Sequence, residues 1–343
     1  MPPTTSASPQ RPVALWLLAC CALVFAMVVV GGITRLTHSG LSIVEWQPLM
    51  GALPPLDEHQ SEETFEKYRA TPEFRLRNHD MTLGGFKGIF WWEYSHRLLG
   101  RVVGAVFLLP FLYFLARRRI DRALAWKLAG IFLLGGLQGA LGWFMVKSGL
   151  VDDPRVDSLR LAAHLGMAFL LFGLILWTAL GLLVPRATNA ARGPRTAASV
   201  LIGVVFAMVL SGALVAGIRA GSAYNTWPLM NGQWIPPEIL MIDPLWKNFV
   251  YNMATVQFDH RGIAFLVAGL SAGTWLAVRR ASTPSRARRW SHALLAATVM
   301  QLCLGIATLL LRVPLPLAAL HQAGAMIVFT CAIGVRHALR LQQ

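Results

Sequence analysis

The chain is poor in charge. Only 14% of its residues are Asp, Glu, Lys or Arg while 55% are hydrophobic, and soluble domains carry charge at roughly a quarter of positions. With a mean hydropathy of +0.54, an ordinary soluble globular class is excluded. Acids are scarcer than bases, 16 against 31, giving a net charge of +15. The basic residues are not gathered on one soluble module, so the usual footing for nucleic-acid binding is missing. Cysteine is also rare. Cys20, Cys21, Cys303 and Cys331 all fall in apolar runs, where a free thiol behaves as a small hydrophobe, and no extracytoplasmic disulfide is available. A small-residue cleavage site is lacking too, and the first apolar run is too long for the hydrophobic region of a removed signal peptide.

What is present is a series of apolar runs of about 20 residues, the length that crosses a hydrocarbon core. They are expected at 13–34, 97–116, 128–146, 161–184, 197–218, 253–278, 291–311 and 317–335. Bases punctuate alternate connections: Arg117, Arg118, Arg119, Arg122 and Lys127; then Arg186, Arg192 and Arg195; then Arg279, Arg280, Arg286, Arg288 and Arg289. The other connections are poorer in such charge or offset it with acids, as with Asp152, Asp153 and Asp157. The positive-inside rule then puts the basic connections and both termini in the cytoplasm, with a bacterial inner membrane as the natural setting.

The two halves carry similar patterns in one order. GGITRL and SIVEWQPLMG answer to VAGIRAG and AYNTWPLMNG, WEYSHRLLGR to VQFDHRGIAF, LQGALGWFMV to MQLCLGIATL, and RLAAHLGMAFLLFGL to PLAALHQAGAMIVF. His96 and His164 are 68 residues apart and His260 and His321 are 61 apart, so each even-numbered span opens on one histidine. The expected fold is an all-α integral membrane protein, with eight transmembrane helices as two tandem, pseudo-symmetric four-helix bundles. A tail at 1–12 precedes an N-terminal half at 13–184, a cytoplasmic linker spans 185–196, and the second half covers 197–338. The long outer segment 37–92, with Trp46, Pro54, Pro55, Glu62, Glu63, Glu66 and Tyr68, departs from the repeat, its counterpart being the shorter 219–252. A short helix is expected at 59–70. Parallel repeats also build transporters, so duplication alone does not assign a function.

Ionisable groups inside membrane spans are costly and point to function. The four histidines are expected at one depth near the outer, periplasmic face, two per half on helices that run in the same direction. A metal held by side chains alone calls for three or four ligands in a cluster. Two imidazoles per half suit a porphyrin, which brings its own nitrogens, so heme is the expected ligand. Gly100, Gly104, Gly166 and Gly262 either let a ring approach or only pack helices. Arg97 and Arg261 repeat in register, as do Arg35 and Arg219; they either meet heme propionates or anchor helix ends by snorkelling. His38, His59, His79, His292 and His337 are expected in surface or interfacial roles.

The halves also differ. Glu93 stands three residues before His96 and on the same helix face, while Gln257 stands at the matching place before His260. Glu93 therefore reads either as an acid–base or charge-stabilising group, or as a solvated carboxylate favoured at a helix N-terminus.

The segments GGITRLTHSGLSIVEWQPLMGALPPL, IFWWEYSHRLLGR, QGALGWFMVKSGL, NTWPLMNG and FDHRG resemble the heme A synthase family, in its mitochondrial and proteobacterial branch without loop cysteine pairs. The resemblance runs from about 13 to 338. It implies oxidation of the C8 methyl group of heme O to a formyl group by successive hydroxylations, giving heme A for aa3-type oxidases. It implies a heme b cofactor on His260 and His321, substrate heme on His96 and His164, and a catalytic Glu93 in an E-x-x-H motif. It further implies water-derived oxygen, an electron acceptor that the sequence does not reveal, and an association with a heme O synthase (farnesyltransferase) and oxidase assembly factors. A homo-oligomer is compatible with it. Two other readings of the residues stay open: a b-type cytochrome that only carries electrons, and a transporter with a histidine proton relay.

Overall fold

The computed structural model describes residues 10–45, 53–150, 154–184 and 191–340. Trp46, Asp152, Asp153 and Arg186 lie outside the described residues, as do most of the 1–12 tail and the first part of the 185–196 linker. Among the described residues, eight helices are long and apolar enough to span a bilayer: α1 (Arg11–Leu36), α4 (Leu83–Ala116), α5 (Arg122–Gly149), α6 (Ser158–Leu183), α7 (Arg192–Gly217), α9 (Met253–Arg280), α10 (Ser285–Leu310) and α11 (Leu315–Ala338). Three short helices, α2 (Glu58–Arg69), α3 (Pro72–Arg77) and α8 (Asn248–Tyr251), lie in the connections. This is an all-α integral membrane protein.

Local signals set the helix starts. Thr82, Asp121, Asp157 and Asn252 cap α4, α5, α6 and α9, each side chain accepting a backbone N–H of the first turn. Pro314, with another proline in the first turn, starts α11. In lipid every backbone group must be paired within the protein, and helices do this within one segment.

The helices pack as two rings. In one, α1 touches α4, α4 touches α5, α5 touches α6 and α6 closes on α1; in the other, α7, α9, α10 and α11 close in the same way. The rings meet where α6 lies on α7 and where α11 lies on α1 and α6. Hydrogen bonds and close packing stitch this seam: Gln322 on α11 donates Nε2–H to Val28 O on α1 at 2.9 Å, over the bare face of Gly32, where a Cβ would stand 1.9 Å from Gln322 Oε1.

Helix direction puts the arginine-rich connections at one end of the molecule and all four histidines toward the other. The apolar core, with Leu17, Phe107, Phe111, Leu128, Phe169, Phe172, Leu201, Leu294 and Phe329, fills the space toward the arginine end. The histidines are half-buried.

One expected boundary moves. The helix of span two begins at Leu83 rather than near 97, so His96 lies well inside α4. The extra turns are held by an aromatic cap, in which Phe65, Tyr68, Phe74, Phe86, Phe90 and Tyr94 pack together. Phe65 and Tyr68 come from α2, which matches the expected 59–70 helix to within a residue. Sequence hydropathy places the start of a span where apolar residues become continuous, and it does not register turns stabilised by a cap outside the bilayer.

Candidate functional site

Each of the four membrane histidines rests its ring edge against a glycine of the preceding long helix in its ring. A Cβ on Gly31 would stand 2.7 Å from Cε1 of His96; on Gly142, 3.0 Å from Cε1 of His164; on Gly212, 3.2 Å from Cε1 of His260; and on Gly305, 2.8 Å from Cε1 of His321. Any side chain at these places would push the imidazole from its position. Of the glycines singled out from sequence, Gly104 and Gly262 have open space where a Cβ would stand, and Gly166 packs against Leu210. The useful signal lay in the repeats LQGALG and MQLCLG. In both, a glutamine stands one turn before the glycine, and its amide reaches the histidine of the next helix. Gln138 donates Nε2–H to His164 O at 3.1 Å, and Gln301 donates to His321 O at 2.8 Å.

His96 and His164 lie within electrostatic reach of each other, as do His260 and His321. Among the described residues no group of three or more His, Cys, Asp or Glu side chains converges to hold a bare metal ion. What the chain offers is two imidazole pairs with small residues beside them, and this donor set fits a planar macrocycle that supplies the remaining ligands.

Glu93 is fully engaged. Its Oε1 accepts from Arg97 Nη2 at 2.6 Å and Nε at 3.1 Å, and its Oε2 accepts from Ser42 Oγ at 2.7 Å and the Ile43 N–H at 2.8 Å. Neither Ser42 nor Ile43 was legible as a partner in the sequence. Gln257 takes the matching position in the other ring. Its Oε1 accepts from Arg261 Nη2 at 2.8 Å, and its Nε2–H is donated to Ala220 O at 2.7 Å. In both rings the residue three before the histidine holds the arginine that follows it.

Those arginines staple the adjoining connections. Arg97 donates to Ile43 O at 2.7 Å and Glu45 O at 3.0 Å; Arg261 donates to Tyr224 O and Thr226 O, both at 3.0 Å. Arg35 and Arg219 do not occupy matching places. Counted from the histidine-facing glycines, Arg35 is four residues beyond Gly31 and Arg219 seven beyond Gly212. The Arg35 guanidinium donates across the seam to Ala216 O and Gly217 O at the end of α7. Arg219, with φ of 56°, lies past that helix end and donates Nη2–H to His38 Nδ1 at 3.1 Å. Burial, then Arg219, Arg77 and Arg35, hold His38 below its ordinary pKa, which keeps Nδ1 free to accept.

The aromatic cap contains one further acid. Glu73 on α3 is buried, and its carboxylate accepts from Tyr68 Oη at 3.3 Å, while Asn78 Nδ2 donates to Tyr68 Oη at 2.7 Å. Burial raises Glu73 to about 7, against the opposing pull of Tyr68 and Arg77. Of the remaining histidines three are exposed, while His337, expected at the surface, is instead buried. His59 is exposed beside Glu63, His79 is exposed, His292 Nδ1 pairs with Arg288 O, and His337 packs edge-on to Trp177.

The sequence matches the family described as cytochrome oxidase assembly protein over residues 14–333. It is 57% identical over 337 residues to the heme A synthase of Nitrosospira multiformis, covering 97% of this chain and 95% of the relative. It is 52% identical to that of Nitrosomonas eutropha, with 95% and 93% covered, and 50% identical to that of Parvibaculum lavamentivorans, with 96% and 95% covered.

Proposed function

The chain belongs to the cytochrome oxidase assembly family that includes the heme A synthases, and from that premise we propose that it converts heme O to heme A by oxidising the C8 methyl group to a formyl group. The observation that carries this reading is the pair of imidazoles in each ring, each ring edge set against a glycine. An electron-carrying cytochrome has no need for the difference between Glu93 and Gln257, and a proton-relaying transporter has no need for glycines at all four imidazole edges.

In this reading His260 and His321 hold a heme b cofactor, and His96 and His164 hold the substrate. The cofactor, when bound, supplies one-electron redox chemistry that no side chain here can perform. Each of two hydroxylations breaks one C–H bond of the substrate carbon, forms one C–O bond to a hydroxyl from water, and releases a pair of electrons with two protons, one from the carbon and one from the water. Loss of water from the resulting geminal diol leaves the aldehyde. The electrons pass to an acceptor outside this chain.

Glu93, bonded on both oxygens, acts as a fixed negative charge near the substrate ring and as the anchor of Arg97. Arg97 and Arg261 fasten the connections that roof the two sites, and any pairing with propionates uses donors left over from this stapling. Arg35 and Arg219 hold the seam beside those roofs.

In this reading, supported by the basic connections, the arginine end and both termini face the cytoplasm of a bacterial inner membrane and both heme sites lie toward the periplasm. A farnesyltransferase that makes heme O and oxidase assembly factors that receive heme A complete the setting. The visible spectrum and extracted heme types of the purified protein test the reading: heme b together with heme O or heme A is expected. Heme b alone in both halves would mark an electron carrier, and a colourless active protein a transporter.

A further inference from the structure

The two imidazole pairs differ in what lies against Nδ1. In the second ring both Nδ1 atoms have side-chain partners: Ser211 Oγ lies 3.2 Å from His260 Nδ1, and Gln301 Nε2 lies 3.1 Å from His321 Nδ1. In the first ring, Nδ1 of His96 and of His164 has none. The cause is legible at one position. Ser211 immediately precedes Gly212, which faces His260, and Val30 immediately precedes Gly31, which faces His96. The same place on the helix thus carries a hydroxyl in one ring and only methyl groups in the other.

A neutral imidazole that ligates iron through Nε2 must carry its proton on Nδ1, and that N–H needs an acceptor. An acceptor there fixes the tautomer, orients the ring and raises the basicity of the ligating nitrogen; losing such a partner typically weakens metal affinity about 10–100-fold. Ser211 Oγ can accept from His260 Nδ1–H. At His321 the Gln301 amide is held as a donor by His321 O at 2.8 Å, so it offers Nδ1–H no acceptor, and of the four imidazoles only His260 has an Nδ1 acceptor on a neighbouring side chain. Gln138 stands in the matching place on α5, but its amide lies against Nε2 of His164 at 3.5 Å.

We infer that Ser211 is the positioning residue that makes the second pair a retaining heme site, and that Val30 leaves the first pair an exchangeable one, as a substrate that must enter and a product that must leave require. The inference rests on the assignment of heme b to His260 and His321.

The test uses full-length protein in one detergent with Ser211→Ala, Ser211→Val, Ser211→Thr and Val30→Ser. It reads the heme b midpoint potential by spectroelectrochemistry and the rate of heme transfer to apomyoglobin. Removing the hydroxyl is expected to speed heme b loss about 10–100-fold and to raise the potential, because a less basic imidazole stabilises ferric iron less. Ser211→Thr restores both values, which separates the hydroxyl from mere packing, and Val30→Ser slows heme release from the first site. Unchanged potential and transfer rate in Ser211→Ala and Ser211→Val would overturn the inference, as would a Ser211→Thr protein that behaves like Ser211→Ala, or unaltered release in Val30→Ser. If the unsubstituted protein binds no heme b, or His260→Ala keeps it, the underlying site assignment fails instead.

Discussion

Glu93 and Arg97 form a buried ion pair one helical turn apart on α4, with Arg97 Nη2 donating to Glu93 Oε1 at 2.6 Å and the carboxylate only 3% exposed. The other carboxylate oxygen is tied to Ser42 and Ile43, so this one side chain joins α4, its own arginine and the connection leaving α1. Removing one partner of a buried pair costs about 3–5 kcal/mol locally because the other charge is stranded. Glu93→Ala is therefore expected to release Arg97 and the 42–45 segment and to stop aldehyde formation while heme b stays bound in the other ring. Glu93→Gln keeps an oxygen for Arg97 but turns an N–H toward the Ile43 N–H that Oε2 now accepts, so it is expected to hold Arg97 while loosening the 42–43 contact, without full activity. Heme extraction and product analysis on both variants check this; a normal rate of heme A formation in Glu93→Ala would remove Glu93 from the chemistry.

The histidine-facing glycines make a second, divided prediction. Gly305→Ala puts a Cβ 2.8 Å from His321 and is expected to lower the heme b content of purified protein, with Gly212→Ala, at 3.2 Å from His260, milder. Gly31→Ala, at 2.7 Å from His96, is expected to block conversion with heme b retained. Absorbance per protein and extracted heme ratios measure both effects, and equal heme b loss in all three would mean that the rings do not bind separate hemes.

The seam gives a third prediction. At Gly32 an added Cβ overlaps the Gln322 amide, which must then abandon Val28 O. Overpacking at such a contact commonly costs about 1–3 kcal/mol. Gly32→Ala is expected to lower the thermal midpoint in detergent, and Gln322→Ala placed on top of it to recover most of the loss; a double variant no more stable than Gly32→Ala would show that the strain lies elsewhere.

Glu73 sets a pH dependence in the cap. Its folded value of about 7 is raised above the ordinary 4.5 by burial, so its contribution favours the folded cap fully below the unfolded value and is lost as pH rises through about 7. Hydrogen exchange of the α2 and α3 amides is expected to accelerate, beyond the intrinsic pH effect, between pH 5 and pH 8 (roughly the span set by these two values), and Glu73→Gln to remove that extra acceleration. An identical pH profile in Glu73→Gln would show that another group controls the cap.

Much of the architecture was legible because lipid leaves few options: long apolar runs must be helices, and alternate arginine-rich connections order them. The four histidines were legible because an imidazole stands out in such runs. The extension of α4 to Leu83 was not, since it depends on Phe65 and Tyr68 reaching Phe86 and Phe90 from another helix. The saturation of Glu93 was hidden for a similar reason, because Ser42 and Ile43 lie half a hundred residues away in a connection whose path hydropathy does not describe. Arg35 and Arg219 looked equivalent in the strings GITRL and AGIRAG, but matching letters do not fix register against a partner helix, and the glycines that face the histidines do.

The most direct measurement is the heme inventory of the purified protein and of its His260→Ala and His321→Ala variants, by absorbance and by chromatography of extracted heme. The account predicts heme b with heme O or heme A in the unsubstituted protein, and selective loss of heme b in both variants. Folded, active protein without porphyrin absorbance, or heme b that survives both substitutions, would contradict it.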